Sequence, residues 1–151
     1  MRAEVVSSCR EHARSLLPGL LVGLVVGTAI AFQDLVYIDR IFVPDDAYYT
    51  LSIARSMAEG KPPSMDGLSV TTGFQPLFAF LLIPGFWLWG DAEMVRVSTL
   101  LSAFFYLGGI VLFHAVLSTH VRRRWLLAAW VAVYALSLPL LLNGFNGLET
   151  S

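Results

Sequence analysis

The sequence predicts an all-α protein that crosses a membrane several times. Of its 151 residues, 56% are hydrophobic and only 14% are charged, whereas soluble domains carry about 25% charged residues. The mean hydropathy is +0.68, and the apolar residues are gathered into long uncharged runs. A membrane-spanning helix needs about 20 consecutive apolar residues, and three runs approach or exceed that length. We therefore expect a polytopic membrane protein with about three transmembrane helices and juxtamembrane helices in its first outer loop.

The remaining composition excludes two other classes of protein. The net charge is −1 at pH 7, and no basic patch is interleaved with stacking aromatic residues, so nothing supports a nucleic-acid partner. The single cysteine, Cys9, cannot form an internal disulfide, so a disulfide-stabilised secreted domain is excluded.

The three predicted spans cover about residues 15–36, 95–118 and 125–142. Basic residues flank them on one side, and the positive-inside rule places such residues in the cytoplasm. They are Arg2, Arg10 and Arg14 before the first span, and Arg122, Arg123 and Arg124 between the second and third. This pattern predicts an integral membrane protein with a cytoplasmic N-terminus.

The N-terminal segment has a second interpretation as a cleaved signal peptide. A basic start, an apolar core and the small residues Ala29 and Ala31 resemble such a leader and its cleavage site. The apolar run is longer than a usual signal core, which favours a retained span.

A fourth apolar run, residues 74–90, is short and contains Pro84 and Gly85. Proline removes an intrahelical hydrogen bond, and a crossing here would move the arginines at 122–124 to the outside. We therefore expect a broken juxtamembrane segment at the outer interface. Trp87 and Trp89 suit that position, because tryptophan is enriched at membrane–water boundaries.

The outer loop, about residues 37–92, contains the strongest chemical signal. A helix is predicted over 44–59, because Pro44 suits a first helical turn and Gly60 follows the last. A polar, turn-rich loop follows at 64–73, where Asp66 is expected to cap a turn at Gly67.

Asp45 and Asp46 open that helix as a pair of adjacent carboxylates. Two acids so close raise each other's pKa, and at a membrane edge they are suited to taking a proton or holding a cation. The alternative is that they stabilise the positive end of the helix dipole and have no catalytic role.

The order of these features resembles the N-terminal part of the GT-C superfamily of glycosyltransferases. The resemblance rests on one span, the Asp45-Asp46 pair with its two tyrosines, the segment 71–77 (TTGFQPL), Arg96 at the start of a span, and the basic run. It covers the chain from about residue 15 onward. The nearest relatives by this resemblance are the protein O-mannosyltransferases and the aminoarabinose transferases that modify lipid A.

The resemblance implies transfer of a sugar from a polyprenyl-phosphate donor to an acceptor on the outer face, with inversion. Asp45 would be the general base, and Asp46 would orient the acceptor or assist a divalent cation. Arg96 would face the lipid phosphate; the alternative is an ordinary interfacial anchor whose side chain reaches the headgroups. The resemblance also implies the bacterial inner membrane as the location. Tyr49, with its neighbour Tyr48, is a candidate for stacking on a sugar. The partners would be membrane lipid and the donor, and the cofactor is left open.

Two departures from that family affect the interpretation. Its members often carry Asp-Glu where this chain has Asp45-Asp46, and they have several hundred residues. We therefore expect an N-terminal portion, a fragment that is inactive by itself. The alternative from another class is a small non-enzymatic membrane subunit or scaffold whose acidic outer loop binds a partner or a cation.

Two smaller predictions concern the spans themselves. His114 lies inside the second span and is expected to be a neutral, hydrogen-bonded residue at a helix interface, although an intramembrane ionisable residue is also a functional candidate. Gly23 and Gly27 have the spacing that lets two helices approach closely.

Overall fold

The structure, a computed structural model, describes residues 2–41 and 45–144. Every regular element among the described residues is a helix, and they contain no strand beyond an isolated bridge between Ser64 and Val70. The predicted all-α class is confirmed. The elements are α1 (Arg2–Ala31), α2 (Leu35–Ile41), α3 (Asp45–Ala58), α4 (Pro76–Trp89), a 3₁₀ turn (Asp91–Glu93), α5 (Met94–His120), α6 (Arg124–Leu136) and α7 (Leu138–Gly144).

Helices α1, α5 and α6 form one half of the structure around a shared apolar core. Ser15 near the middle of α1 bonds His114 near the end of α5, while Gly23 further along α1 meets Leu107 and Ile110. Positions therefore rise along α1 as they fall along α5, so these two helices are antiparallel. The core residues Ile110, Leu127 and Val131 are almost fully buried between them.

Small residues on α1 allow this close packing. A Cβ atom added at Gly19 would lie 2.5 Å from Cγ1 of Val131, and one at Gly23 would lie 2.8 Å from Cδ2 of Leu107. Both distances are shorter than van der Waals contact, so neither position accepts a side chain without movement. The predicted close approach is present at Gly23, while that of Gly27 stays a prediction. Gly19, one turn before Gly23, makes a further close contact with α6.

The second half of the structure packs α3 and α4 on the N-terminal part of α5. Phe78 of α4 lies 6.3 Å from Phe105 of α5, measured between ring centroids, while Gly85 of α4 meets Met94 and Val97. Helix α4 is therefore antiparallel to α5. At its far end, Nε1 of Trp87 donates a hydrogen bond of 2.9 Å to the carbonyl of Ala58 at the end of α3.

The prediction of a broken segment at 74–90 is wrong, because α4 is one helix from Pro76 to Trp89 with Pro84 inside it. The missing N–H of Pro84 removes one intrahelical bond. Packing outweighs that loss, since Phe78 and Leu82 are completely buried against the neighbouring helices.

The first predicted span ends earlier than expected, at Ala31 instead of about residue 36. A new helix, α2, starts after Asp34, whose Oδ1 accepts a hydrogen bond of 3.3 Å from the N–H of Val36. Aspartate in that position caps a helix N-terminus, so the apolar run is divided between two helices.

The third predicted span, 125–142, is likewise divided, between α6 and α7 at Ser137. Ser137 is extended, with φ −63° and ψ 114°, and Pro139 follows. Proline has no N–H to bond the carbonyl four residues before it, that of Ala135. The hydroxyl of Tyr106, on the neighbouring helix α5, donates a hydrogen bond of 2.8 Å to that carbonyl. This bond replaces the intrahelical bond that is lost at the break.

One helical stretch in the described part of the chain, Asp91–His120, is long and apolar enough to cross a membrane. Three shorter apolar helices accompany it: Arg14–Ile30, Pro76–Trp89 and Arg124–Leu136. At 1.5 Å per residue, a helix of 13 residues extends about 20 Å, less than the roughly 30 Å of a hydrocarbon core. The number of crossings therefore stays a prediction.

Candidate functional site

The start of α3 and the segment before α4 enclose a cleft of about 630 Å³. Its lining includes a carboxylate, two threonine hydroxyls, an amide and two aromatic rings. The lining residues are Asp46, Tyr49, Thr50, Thr72, Gly73, Phe74 and Gln75. We call this the α3–α4 cleft.

Helical spacing determines which residues of α3 face the cleft. Asp46, Tyr49 and Thr50 stand three and four residues apart, and side chains at that spacing share one face of a helix. Tyr48, the other member of the tyrosine pair, is not among the described residues that line it. The prediction of a helix over 44–59 is confirmed from Asp45 onward, whereas Pro44 lies outside the described residues.

The opposite wall is the short segment that leads into α4. Gln75 is the residue before the helix and is extended, with φ −89° and ψ 95°, and Pro76 occupies the first turn. Oγ1 of Thr50 donates a hydrogen bond of 3.2 Å to Oε1 of Gln75, which joins the two walls. Gly73 has open space where a Cβ would be, so its backbone is accessible.

This combination of groups suits a polyhydroxylated ligand. The hydroxyl of Thr72, the NH₂ of the Gln75 amide and the carboxylate of Asp46 together offer both donors and acceptors. The ring of Tyr49 is about half exposed, at 48%, and presents an apolar face with a polar tip. Asp46 is itself exposed and lies in the first turn of α3, where the helix dipole favours a negative charge.

The structure does not place every predicted site residue in this cleft. The side chain of Asp45 lies outside the described residues, so its assignment as a base stays a prediction. Arg96 stands in the first turn of α5, where the second span was expected to begin, and among the described residues it does not line the cleft. Its Nη1 pairs with Oε2 of Glu93 at 3.0 Å, and its Nε is buried with no hydrogen-bond partner among the residues that the structure describes.

The loop at 64–73 is ordered by one carboxylate, as the sequence predicts for Asp66. Oδ1 of Asp66 accepts bonds from the N–H groups of Leu68 and Ser69, each at 2.9 Å, and from the hydroxyl of Ser64 at 3.0 Å. Donation by the Ser69 and Leu68 amides holds the pKa of Asp66 well below its usual range. Gly67, with φ +75°, provides the left-handed residue of this turn.

His114 is a structural residue of the helix interface. It is 5% exposed, and its Nε2 lies 2.8 Å from Oγ of Ser15 on α1. The expectation of a hydrogen-bonded interface histidine is confirmed.

No group of three or more His, Cys, Asp or Glu side chains comes together as a metal site among those that the structure describes. The side chain of Asp45 is not among them. A divalent cation at the acidic pair therefore stays an expectation from the resemblance.

The sequence alone indicates no site role for Thr50, Thr72 or Gln75. The signal was present, because 71–77 was one of the motifs that carried the resemblance and it leads directly into a proline-started helix. The sequence does not indicate that Thr50 bonds Gln75, because the two residues are 25 positions apart and no local pattern links them.

No family model, curated protein or solved structure matches this chain.

Proposed function

We propose that this chain belongs to a polytopic membrane glycosyltransferase of the GT-C type, which transfers a sugar from a polyprenyl-phosphate donor to an acceptor hydroxyl. The observation that carries the proposal is the α3–α4 cleft, in which the helix opened by Asp45 and Asp46 faces the segment that contains Thr72 and Gln75. Two motifs that were separate in the sequence contribute to one cavity.

The proposed step is an inverting displacement at the anomeric carbon. The acceptor oxygen forms a bond to that carbon, the bond from the carbon to the phosphate oxygen breaks, and polyprenyl phosphate leaves with the electron pair. Asp45 receives the proton of the acceptor hydroxyl as general base. Asp46 orients the acceptor, and the ring of Tyr49 packs on the sugar.

Arg96 has the role of neutralising charge on the leaving phosphate. A guanidinium binds phosphate through two parallel hydrogen bonds, and the buried Nε of Arg96 has no partner among the described residues. In this proposal the donor phosphate competes with Glu93 for the guanidinium. The donor's polyprenyl chain lies along the exposed apolar side chains of α5, such as Phe104, which is 68% exposed.

The membrane setting of the proposal rests on three features. Helix α5 is apolar and long enough to span, and α6 with α7 continues the apolar path across the break at Ser137. A break in a helix at membrane depth is tolerated where other protein groups bond the freed backbone groups. The hydroxyl of Tyr106 bonds the carbonyl of Ala135 at this break. Exposed apolar side chains also cover α1 and α5.

Binding of short-chain polyprenyl-phosphate pentoses and hexoses to the chain in nanodiscs tests the proposal. We expect saturable binding of one donor. Tyr49→Ala should weaken donor binding about tenfold, because one stacking contact and its buried area are lost. Tyr48→Ala is the matched control, because Tyr48 is adjacent in sequence and does not line the cleft, and it should change the affinity less than about twofold.

Transfer itself is measured with the whole protein as its gene encodes it. Asp45→Asn should lower the transfer rate by about 10²–10⁴-fold, the usual contribution of a general base, while donor binding stays unchanged. If no donor binds, or if the two tyrosine variants lose affinity equally, the cleft is not the donor site. An active Asp45→Asn enzyme would rule out that residue as the base.

A further inference from the structure

Two small clefts adjoin each other at the end of the structure where α5 ends and α6 begins. The first, about 210 Å³, lies between Ser15, Arg122 and Arg124. The second, about 290 Å³, is bordered by Arg14, Ser15, Arg124 and Trp125. Ser15 and Arg124 border both clefts. We call the two clefts together the basic depression.

The arginines of this basic depression come from separate parts of the chain. Arg14 belongs to α1, Arg122 to the connection between α5 and α6, and Arg124 to the first turn of α6. Within the described part of the chain, Arg14 and Arg122 form no ion pair with a carboxylate. Arg122 borders the first cleft and Arg14 the second, while Arg124 borders both.

The surroundings of the depression are those of a lipid headgroup region. Trp125, which borders the second cleft, is 67% exposed, and tryptophan beside arginine is typical of a membrane–water boundary. Leu17, one turn further along α1 from Arg14, is 53% exposed and offers apolar surface to an acyl chain. Ser15 at the base is buried and held by His114.

We propose that the basic depression binds a phosphate group, with Arg14 and Arg122 contacting it from opposite sides. A guanidinium is the side chain best matched to phosphate geometry. Two sources carry this chemistry, an anionic phospholipid headgroup and a soluble phosphate ester. The site is distinct from the α3–α4 cleft and does not depend on the proposed transfer reaction.

Native mass spectrometry of the chain in a non-ionic detergent tests this, with titration of phosphatidylglycerol, phosphatidylcholine and glycerol 3-phosphate. We expect phosphatidylglycerol to bind at least about tenfold more tightly than phosphatidylcholine. Arg14→Gln and Arg122→Gln should each weaken its binding about tenfold, because each removes one charge-assisted contact.

Arg123→Gln is the matched control. It removes the same charge from the same basic run, yet among the described residues Arg123 borders neither cleft, so its effect should stay below about threefold. Arg14→Lys keeps the charge and loses the bidentate geometry, so it should bind more weakly than the unaltered chain and more tightly than Arg14→Gln. That order separates a lost contact from a misfolded protein.

Each outcome has a definite meaning. Competition between glycerol 3-phosphate and phosphatidylglycerol at similar concentrations would support the phosphate site and assign it to a soluble ester. Binding of the lipid alone supports a headgroup site. Equal losses in Arg122→Gln and Arg123→Gln would overturn the proposal in favour of diffuse surface charge, as would the lack of any preference for the two phosphate ligands over phosphatidylcholine.

Discussion

Asp66 shows how much order a single exposed side chain creates in the connection between α3 and α4. Its two oxygens accept bonds from Ser64, Leu68 and Ser69, and the pKa of the carboxyl is lowered as a result. The ionised form therefore favours the ordered loop at every pH above the unfolded pKa of about 4. That contribution is lost as the pH falls from there toward the lowered pKa of the folded state.

We expect Asp66→Ala to reduce the hydrogen-exchange protection of segment 64–70 about fivefold at pH 7, because two amide donors lose their acceptor. In the unaltered chain, protection corrected for intrinsic exchange should persist from pH 7 to pH 4 and fall below that. Asp66→Asn keeps a neutral acceptor and should show no such pH dependence. Asp91→Asn, which removes an acid that pairs with Arg55, is the control and should leave the segment unchanged.

At the scale of the elements, α1 packs closely against α6 because residue 19 is a glycine and has no side chain. Gly19→Ala should lower the thermal midpoint, since its Cβ would meet Val131 at 2.5 Å and overpacking of a filled core costs about 1–3 kcal/mol. Circular dichroism of the chain in detergent measures the change.

The control for that substitution lies in the middle of α5. A Cβ added at Gly108 meets nothing within 4 Å, and alanine is the better helix former by about 1 kcal/mol, so Gly108→Ala should leave the midpoint unchanged or raise it. Equal destabilisation by both substitutions would mean that helix propensity, and not the contact of α1 with α6, governs these positions.

At the scale of the whole molecule, Arg14 borders the same cleft as Arg124, and Arg124 borders the adjoining cleft together with Arg122. The positive-inside rule required these two basic clusters to lie on the same side, and their proximity agrees with that requirement. The proposed orientation puts this end in the cytoplasm and the connection between α3 and α4 outside.

Cysteine labelling of intact bacterial cells checks that orientation, with Cys9→Ser as the background. Leu68→Cys, at a position that is 90% exposed, should react with an impermeant maleimide, because it lies in the outer connection. Arg123→Cys should react only after the cells are permeabilised. The reverse pattern, or labelling of both positions in intact cells, would contradict the orientation and the placement of the α3–α4 cleft outside.

Local signals along the chain are sufficient to predict several of the elements. Pro76 starts α4, the acidic pair starts α3, and Gly60 with φ +75° ends it, because each of these residues acts on its own few peptide units. The turn at Asp66 belongs to the same class, since all its bonds are within three residues. The interface role of His114 followed from the cost of burying an unpaired polar group.

The sequence by itself thus determined the all-helical class, most helix starts and the chemical nature of the candidate residues. Only the tertiary structure decided that α4 continues through Pro84, that Thr50 meets Gln75, and that Arg14 borders the same cleft as Arg124. These outcomes depend on packing between residues distant in the chain; the bond from Ser15 to His114, for example, spans 99 positions. Caps and turns are short-range, whereas burial and charge convergence depend on how whole helices pack against one another.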